Sequence, residues 1–206
     1  MVVGRRALES TAPDRMTVHV VVARFREDLA WVPRACQGTH ARVFVYDKGP
    51  DPDPADTRLP NVGREAHTFL HHIVHHYHAL PDATLFLQGN PFDHGLGPDR
   101  LRELVVQGAA FPGSHRPLRD PGVEALVADR QGGPHHPGLP VARLFGLVFP
   151  GVDPPHTFAF QPGAQYAVKR EGLTNKPLAF WEDLLRRSSE GVFPWTMERL
   201  WPHAFA

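Results

Sequence analysis

Three short apolar runs divide the first half of the chain, and each ends at charged, amide or glycine residues. They are residues 16–25 (MTVHVVVARF), 41–47 (ARVFVYD) and 83–89 (ATLFLQG). Each run is short, and the first is rich in the β-branched residue Val, which favours a buried strand of a parallel sheet over a helix. The chain is therefore constrained to build the centre of a sheet from these three segments.

Helical patterns separate the three runs. Residues 27–33 predict the start of a helix or turn, with Glu27 and Asp28 near its positive N-terminal end. Residues 64–80 carry apolar side chains at helical spacing, and Pro81 ends the pattern. This alternation predicts an α/β fold with a mostly parallel central sheet, right-handed crossovers and flanking helices.

The remaining chain is less regular. The same patterns predict further elements: a helix over about residues 99–107, a strand over 164–170, and helices over 177–188 and 194–205. Residues 49–60, rich in Pro and Asp, predict a surface loop. Residues 109–163 are rich in Pro and Gly and give no assignment, so we expect long loops there that cover the site.

Length and charge limit the class of protein. A chain of 206 residues fits one domain, which we place at residues 16–206 after a flexible leader at 1–15. Lys and Arg total 22, as do Asp and Glu, so no net field favours nucleic acid or an acidic membrane. One cysteine excludes an internal disulfide, and no apolar run approaches the roughly 20 residues of a membrane span. We expect a cytoplasmic protein; the sequence indicates no oligomeric state.

The segment PNVGREAHT lies where a loop meets a predicted helix. Gly63 can bring backbone close to a ligand, and free N–H groups at the helix start favour an anionic or polyhydroxyl group. Arg64 would then clamp a phosphate. The alternative is a simple turn in which Arg64 and Glu65 are solvated.

The segment FLQGNPFDH follows the third strand. Gln88 and Gly89 lie at its C-terminal end, where α/β sheets bind ligands, and Asp93 and His94 follow in the loop. Asp93 and His94 together offer an oxygen and an imidazole that can hold Mn²⁺ or Mg²⁺ against a diphosphate. The alternative is that these residues only form a turn.

Charged residues also follow the first two strands, and thus belong to the same sheet edge. They are Glu27, Asp28, Asp47 and Lys48. Carboxylates there can accept hydrogen bonds from a ribose or base, and Lys48 can meet a phosphate. Each of them taken alone is equally consistent with a solvated surface charge.

A further candidate lies near the C-terminus. Glu198 stands between Trp195 and Trp201, and apolar neighbours there would raise its pKa and suit it to general-base catalysis. The alternative is that the tryptophans belong to the core and the carboxylate has no catalytic role.

Six histidines mark the predicted helix over residues 64–80. They are His67, His71, His72, His75, His76 and His78. Two histidines at i and i+4 can chelate zinc, but the HExxH pattern of a zinc hydrolase is missing. Histidines at the polar face or at the rim of the core are the preferred interpretation, followed by adventitious metal capture.

Several segments together resemble a known family. They are VVARFREDLAWV, VYDKG, LPNVGREAHTFLHHIV, LPDATLFLQGNPFDH, AVKREG and PWTMERLWPHAF. This set is similar to the uncharacterised family numbered 3431 among domains of unknown function, over about residues 17–204. That family in turn resembles glycosyltransferases of the GT-A fold, a Rossmann-like architecture that binds nucleoside-diphosphate sugars.

The resemblance implies positions for a donor. Glu27 and Asp28 would lie near the nucleotide, residues 61–65 near the diphosphate or sugar, and FLQGNPFDH where the metal-binding Asp-x-Asp lies. This sequence departs from that pattern, because Gln88 opens the segment and only Asp93 and His94 supply ligands.

The leading hypothesis is therefore transfer of a sugar from a nucleoside diphosphate to an unknown acceptor, with Asp93 and Glu198 as catalytic groups. The alternatives are a group transferase with a non-sugar donor, a non-catalytic ligand-binding domain and, last, a zinc hydrolase.

Overall fold

The computed structural model describes residues 16–51, 53–54, 56–119, 126–127, 130–133 and 136–206. The expected leader at residues 1–15 lies outside this part of the chain. The described strands are β1 (Val18–Arg24), β2 (Ala41–Asp47), β3 (Thr57–Arg58), β4 (Ala83–Gln88), β5 (His115–Pro117), β6 (Leu126–Val127), β7 (Phe158–Ala159) and β8 (Tyr166–Lys169). The α-helices are α1 (Trp31–Cys36), α2 (Arg64–His76), α3 (Pro98–Gln107), α4 (Val141–Val148), α5 (Arg170–Thr174), α6 (Leu178–Arg187) and α7 (Phe193–Phe205).

The main sheet has the strand order β3-β2-β1-β4-β8-β5. β1 pairs in parallel with both β2 and β4, and β3 continues this parallel half beside β2. β8 runs antiparallel to both β4 and β5. The predictions of three central strands and of a mostly parallel sheet flanked by helices are confirmed.

The connections reverse direction around β1. The chain passes from β1 to β2 on one side, and later returns to place β4 on the other side. Such a reversal opens a crevice at the carboxyl ends of the two strands on either side of it, because the following loops diverge there. The crevice therefore lies at the ends of β1 and β4.

Helices cover both faces of the sheet and form two apolar clusters. Val21 of β1 belongs to the cluster under α2, α6 and α7, with the buried residues Phe69, Trp181 and Trp201. Val20 and Val22 point to the opposite face, towards α1 and α3. Since side chains alternate along a strand, burial on both sides explains why this run is apolar throughout.

Several element boundaries differ from those predicted. α2 ends at His76, and a 3-10 turn, Tyr77–Ala79, replaces its expected last turn. Leu80 is already extended, with ψ of 140°, because the helical conformation is disfavoured before a proline. The loop expected at residues 49–60 contains the short strand β3.

α1 begins at Trp31 rather than near Glu27, so no carboxylate lies in its first turn. The strand expected at 164–170 begins at Tyr166, since Ala164 is left-handed with φ of 53°. The unassigned region contains α4 and the strand pair β6 and β7. Among the described helices, none has the length and apolarity needed to cross a membrane.

Candidate functional site

A cleft of about 340 Å³ opens at the carboxyl ends of β1, β2 and β4. The predicted site residues that line it are Glu27, Lys48, Asn61, Arg64, Glu65, Gln88 and Asp93. They come from four separate segments of the chain, and the sheet brings them together because parallel strands end at one edge. The other predicted residues, Asp28, Asp47, Gly63, Gly89, His94 and Glu198, lie around this cleft in different surroundings.

The loop after β4 presents Asp93 to the cleft. Asn90 donates a hydrogen bond from Nδ2 to Oδ1 of Asp93 over 2.7 Å, and its own Oδ1 accepts from the N–H of Phe92. The fully buried Gln165 holds the loop from below, since its Nε2 donates to the carbonyl of Pro91 over 3.0 Å. These bonds fix the position of an exposed carboxylate.

Asp93 lines the cleft, whereas His94 is not among its lining residues. The ring of His94 packs against Gly163. Within the part of the chain that the structure describes, no three His, Cys, Asp or Glu side chains are grouped to hold a metal ion. Mg²⁺ sites often combine one or two carboxylates with substrate phosphates, so the cleft fits a cation whose other ligands come from substrate and water.

Glu27 is held against the end of β4 by local hydrogen bonds. Its Oε2 accepts from the N–H groups of Phe25 and Arg26 at 2.6 and 3.0 Å. A Cβ at Gly89 would lie 2.5 Å from the same oxygen, so only glycine permits this contact. Asp28 accepts from the N–H of Ala30 and shapes the turn before α1.

Asp47 and Lys48 make their principal contacts with the protein itself. Asp47 is fully buried, pairs with Arg24 and accepts from the N–H of Gly49 at 2.6 Å. The Lys48 ammonium donates to the carbonyls of Val62, at 2.7 Å, and of Arg64. Burial lowers the pKa of Lys48 to about 8, although the negative charge of Glu65 acts to raise it. Asp47 and Lys48 therefore stabilise the segments that surround the cleft.

The turn before α2 is left-handed at two successive residues. Gly63 has φ of 64° and Arg64 has φ of 50°. A Cβ at Gly63 would lie 2.5 Å from the carbonyl oxygen of Ser188, so the glycine here permits close approach of the protein's own backbone. The half-exposed guanidinium of Arg64 lies over Trp195 at 5.7 Å and lines the cleft.

Glu65 and Glu198 differ in their surroundings. Glu65 is 7 % exposed, and burial is the main cause that raises its pKa. Glu198 accepts from the N–H of Gly163 at 3.1 Å and pairs with Arg199 at 2.7 Å. Glu198 is thus held by an ion pair and a backbone hydrogen bond.

Residues 20–97 match the model of a family described as "Protein of unknown function (DUF3431)". The resemblance to this family that the sequence predicts is confirmed over this segment, from β1 to the loop before α3. The DUF3431 segment contains every residue that lines the cleft. A comparison with curated proteins gives no match.

A second depression, the groove, adjoins the cleft. This groove of about 670 Å³ lies between α1 and α3 and shares Glu27 and Asn90 with the cleft. Trp31 and Phe92 line it, with ring centroids 6.0 Å apart in an edge-to-face arrangement. The Trp31 indole N–H donates to the carbonyl of Gly89 at 2.9 Å, which fixes its ring.

Sequence reasoning missed the two aromatic residues of the groove. Trp31 comes three residues after Asp28, and Phe92 lies inside FLQGNPFDH, so both stand within segments already singled out. An aromatic residue close to a predicted strand end and a polar cluster was the available signal.

No three histidines of α2, all of which lie in the described part of the chain, are grouped to hold a metal ion. His67 and His71 are half-buried, and the ring of His71 stacks with those of His67 and His75, as expected for the rim of the core. His72 is instead fully buried. Its Nε2 lies 3.2 Å from Nδ1 of His19, and its Nδ1 lies 2.9 Å from the hydroxyl of Tyr46.

Proposed function

We propose that the protein is a glycosyltransferase-like enzyme that transfers a sugar from a nucleoside diphosphate to a hydroxyl or amine acceptor. The observation that carries this proposal is that the polar cleft and the aromatic groove adjoin each other at the ends of β1 and β4, where the connections of the sheet reverse direction. They meet at Glu27 and Asn90, which line both. An extended ligand with a planar ring at one end and polar groups at the other fits such a depression.

The groove supports binding of the nucleoside. The rings of Trp31 and Phe92 offer apolar surface to a base, and the Trp31 ring is oriented before any ligand arrives. Asp28 and Asp99 also line the groove, and their carboxylates can accept hydrogen bonds from ribose hydroxyls. This assignment agrees with the GT-A resemblance, which implies that the acidic segment after β1 lies near the nucleotide.

The cleft supports binding of the diphosphate and sugar. Arg64 brings a half-exposed guanidinium to the cleft, and Asn61 and Gln88 bring amides that can bond sugar hydroxyls. Asp93 would hold Mn²⁺ or Mg²⁺ together with the donor's phosphates. When bound, such an ion neutralises the charge that develops on the departing diphosphate.

Donor binding is expected to raise the melting temperature in a metal-dependent manner. A screen of nucleoside diphosphates and their sugars, each with and without manganese, measures this linkage. Trp31→Ala should abolish the shift because it removes the aromatic wall, whereas Trp31→Phe should keep most of it. No shift with any nucleotide would favour a non-sugar donor or a non-catalytic binding domain.

Asp93→Ala is expected to lower kcat by at least about 100-fold, because the departing diphosphate loses its metal-mediated stabilisation. The melting temperature should change little, since Asp93 is exposed and its described hydrogen bond is to the neighbouring Asn90. Asp153→Ala, at another exposed aspartate, is the matched control. Steady-state kinetics with the donor found in the screen tests this role, and an unchanged kcat contradicts it.

A further inference from the structure

The turn that leads into α2 has an uncommon backbone conformation. Arg64 is one of two non-glycine residues with positive φ in the described chain, and it follows Gly63, which is also left-handed. A left-handed conformation costs a residue with a side chain on the order of 1 kcal/mol. The surrounding structure must therefore hold this turn in place.

Two contacts hold the turn from opposite sides. The ammonium of Lys48, itself 7 % exposed, donates to the carbonyls of Val62 and Arg64 on either side of Gly63. On the other side, the carbonyl of Ser188 occupies the space next to Gly63. The buried ammonium of Lys48, which follows β2, thus fixes the orientation of the first turn of α2.

The residue that this turn positions is Glu65. It lines the cleft although only 7 % of its surface is exposed. Oε2 of Glu65 lies 3.6 Å from Nε of Arg64, and its other electrostatic neighbours are its own N–H, Glu198 and Lys48. Glu65 is thus a nearly buried carboxylate at the wall of the cleft, whereas Glu198 is held by Gly163 and Arg199.

We propose that Glu65, rather than Glu198, is the catalytic base of this site, an inference that rests on the proposed transferase function. The acceptor's O–H bond breaks and its proton passes to a carboxylate oxygen of Glu65. The acceptor oxygen forms a bond to the anomeric carbon of the sugar, and the bond from that carbon to the diphosphate oxygen breaks. The nucleoside diphosphate leaves with the electron pair, and Glu65 then returns its proton to water.

The electrostatic surroundings of Glu65 suit this role. Burial raises its pKa, as does the nearby charge of Glu198, while Arg64, its own N–H and Lys48 act in the opposite direction. A carboxylate with a raised pKa binds a proton more strongly and is the better acceptor in general-base catalysis. Lys48 is a positioning residue here, because it acts through the turn and through the charge of Glu65.

Glu65→Gln tests the proposal, since it keeps the size of the side chain and removes proton acceptance. We expect kcat to fall by about 10²- to 10⁴-fold and the donor's Kd to change by less than about threefold. Glu65→Asp keeps a carboxylate and should retain part of the rate, with the acidic limb of its pH profile still present. The exposed Glu182→Gln is the matched control and should behave as the wild type.

The outcomes separate this inference from the transferase proposal. If Glu65→Gln turns over donor at the wild-type rate while Glu198→Gln does not, Glu65 is not the base and the transferase proposal stands. If the wild type binds no nucleotide sugar, the transferase proposal and the assignment of Glu65 as its base are both overturned.

Discussion

Acidification from pH 7 to about 4.5 is expected to destabilise the protein strongly. Burial, the largest cause in each case, lowers the pKa of His19, His67 and His71 to about 4, and that of His72 to about 2. In the unfolded chain these imidazoles regain a pKa near 6.5. Below pH 6.5 the unfolded chain therefore binds more protons than the native protein, and the free energy of unfolding falls with pH.

The geometry explains why these imidazoles resist protonation. His72 lies between Tyr46 and His19 on the inner side of α2 and uses both ring nitrogens in contacts with them. His76 and Arg42 add positive charge nearby, so a proton on His72 would be both desolvated and repelled. The stability from this cluster is complete above pH 6.5 and is lost progressively as the pH falls towards 4.

Urea unfolding at a series of pH values measures this effect. Each proton bound in excess by the unfolded chain contributes about 1.4 kcal/mol per pH unit, so two to three of them give a slope of about 3–4 kcal/mol per pH unit. His72→Gln keeps one donor and one acceptor but does not titrate, and should show a shallower slope. His78→Gln, at an exposed position, controls for loss of an imidazole. A stability independent of pH between 6.5 and 4.5 contradicts the expectation.

Local sequence was sufficient to predict the part of the fold that builds the cleft. β2 occupies the predicted residues, and β1 and β4 lie within the predicted runs, because burial on both faces requires uninterrupted apolar segments. Their parallel pairing then fixes which polar residues meet. Lys48, Arg64, Gln88 and Asp93 share the cleft for this reason, although they are far apart in the chain.

Contacts between distant segments could not be predicted in this way. Nothing in the order of residues indicates that the Lys48 ammonium donates hydrogen bonds to the carbonyls of Val62 and Arg64. Nor does it indicate that the carbonyl of Ser188 lies beside Gly63. Both depend on how α2 and α6 pack. The histidine that is most deeply buried, His72, could not be identified from spacing either, because β1 and β2 determine which face of α2 is inward.

Trp201→Ala is expected to cost about 3–5 kcal/mol of unfolding free energy, the range for deletion of a large buried aromatic side chain. Trp201 is fully buried in α7, with its ring stacked on Phe205 at 5.1 Å and 6.2 Å from the ring of Phe69 in α2. It therefore joins α7 to the helix whose first turn carries Glu65. The cavity left by alanine would loosen this packing as well as lower the stability.

Trp201→Phe separates ring packing from hydrogen bonding. The indole N–H of Trp201 has no hydrogen-bond partner among the described residues, and a buried unsatisfied donor costs about 1–3 kcal/mol. Phenylalanine removes that donor and keeps much of the aromatic contact, so its net cost should be well below that of alanine. Urea unfolding at pH 7 measures both variants, with Val106→Ala on the exposed side of α3 as a control expected within about 0.5 kcal/mol of wild type. Equal losses for Phe and Ala would show that the indole N–H is satisfied in solution, and that α7 is held by a polar contact as well as by apolar packing.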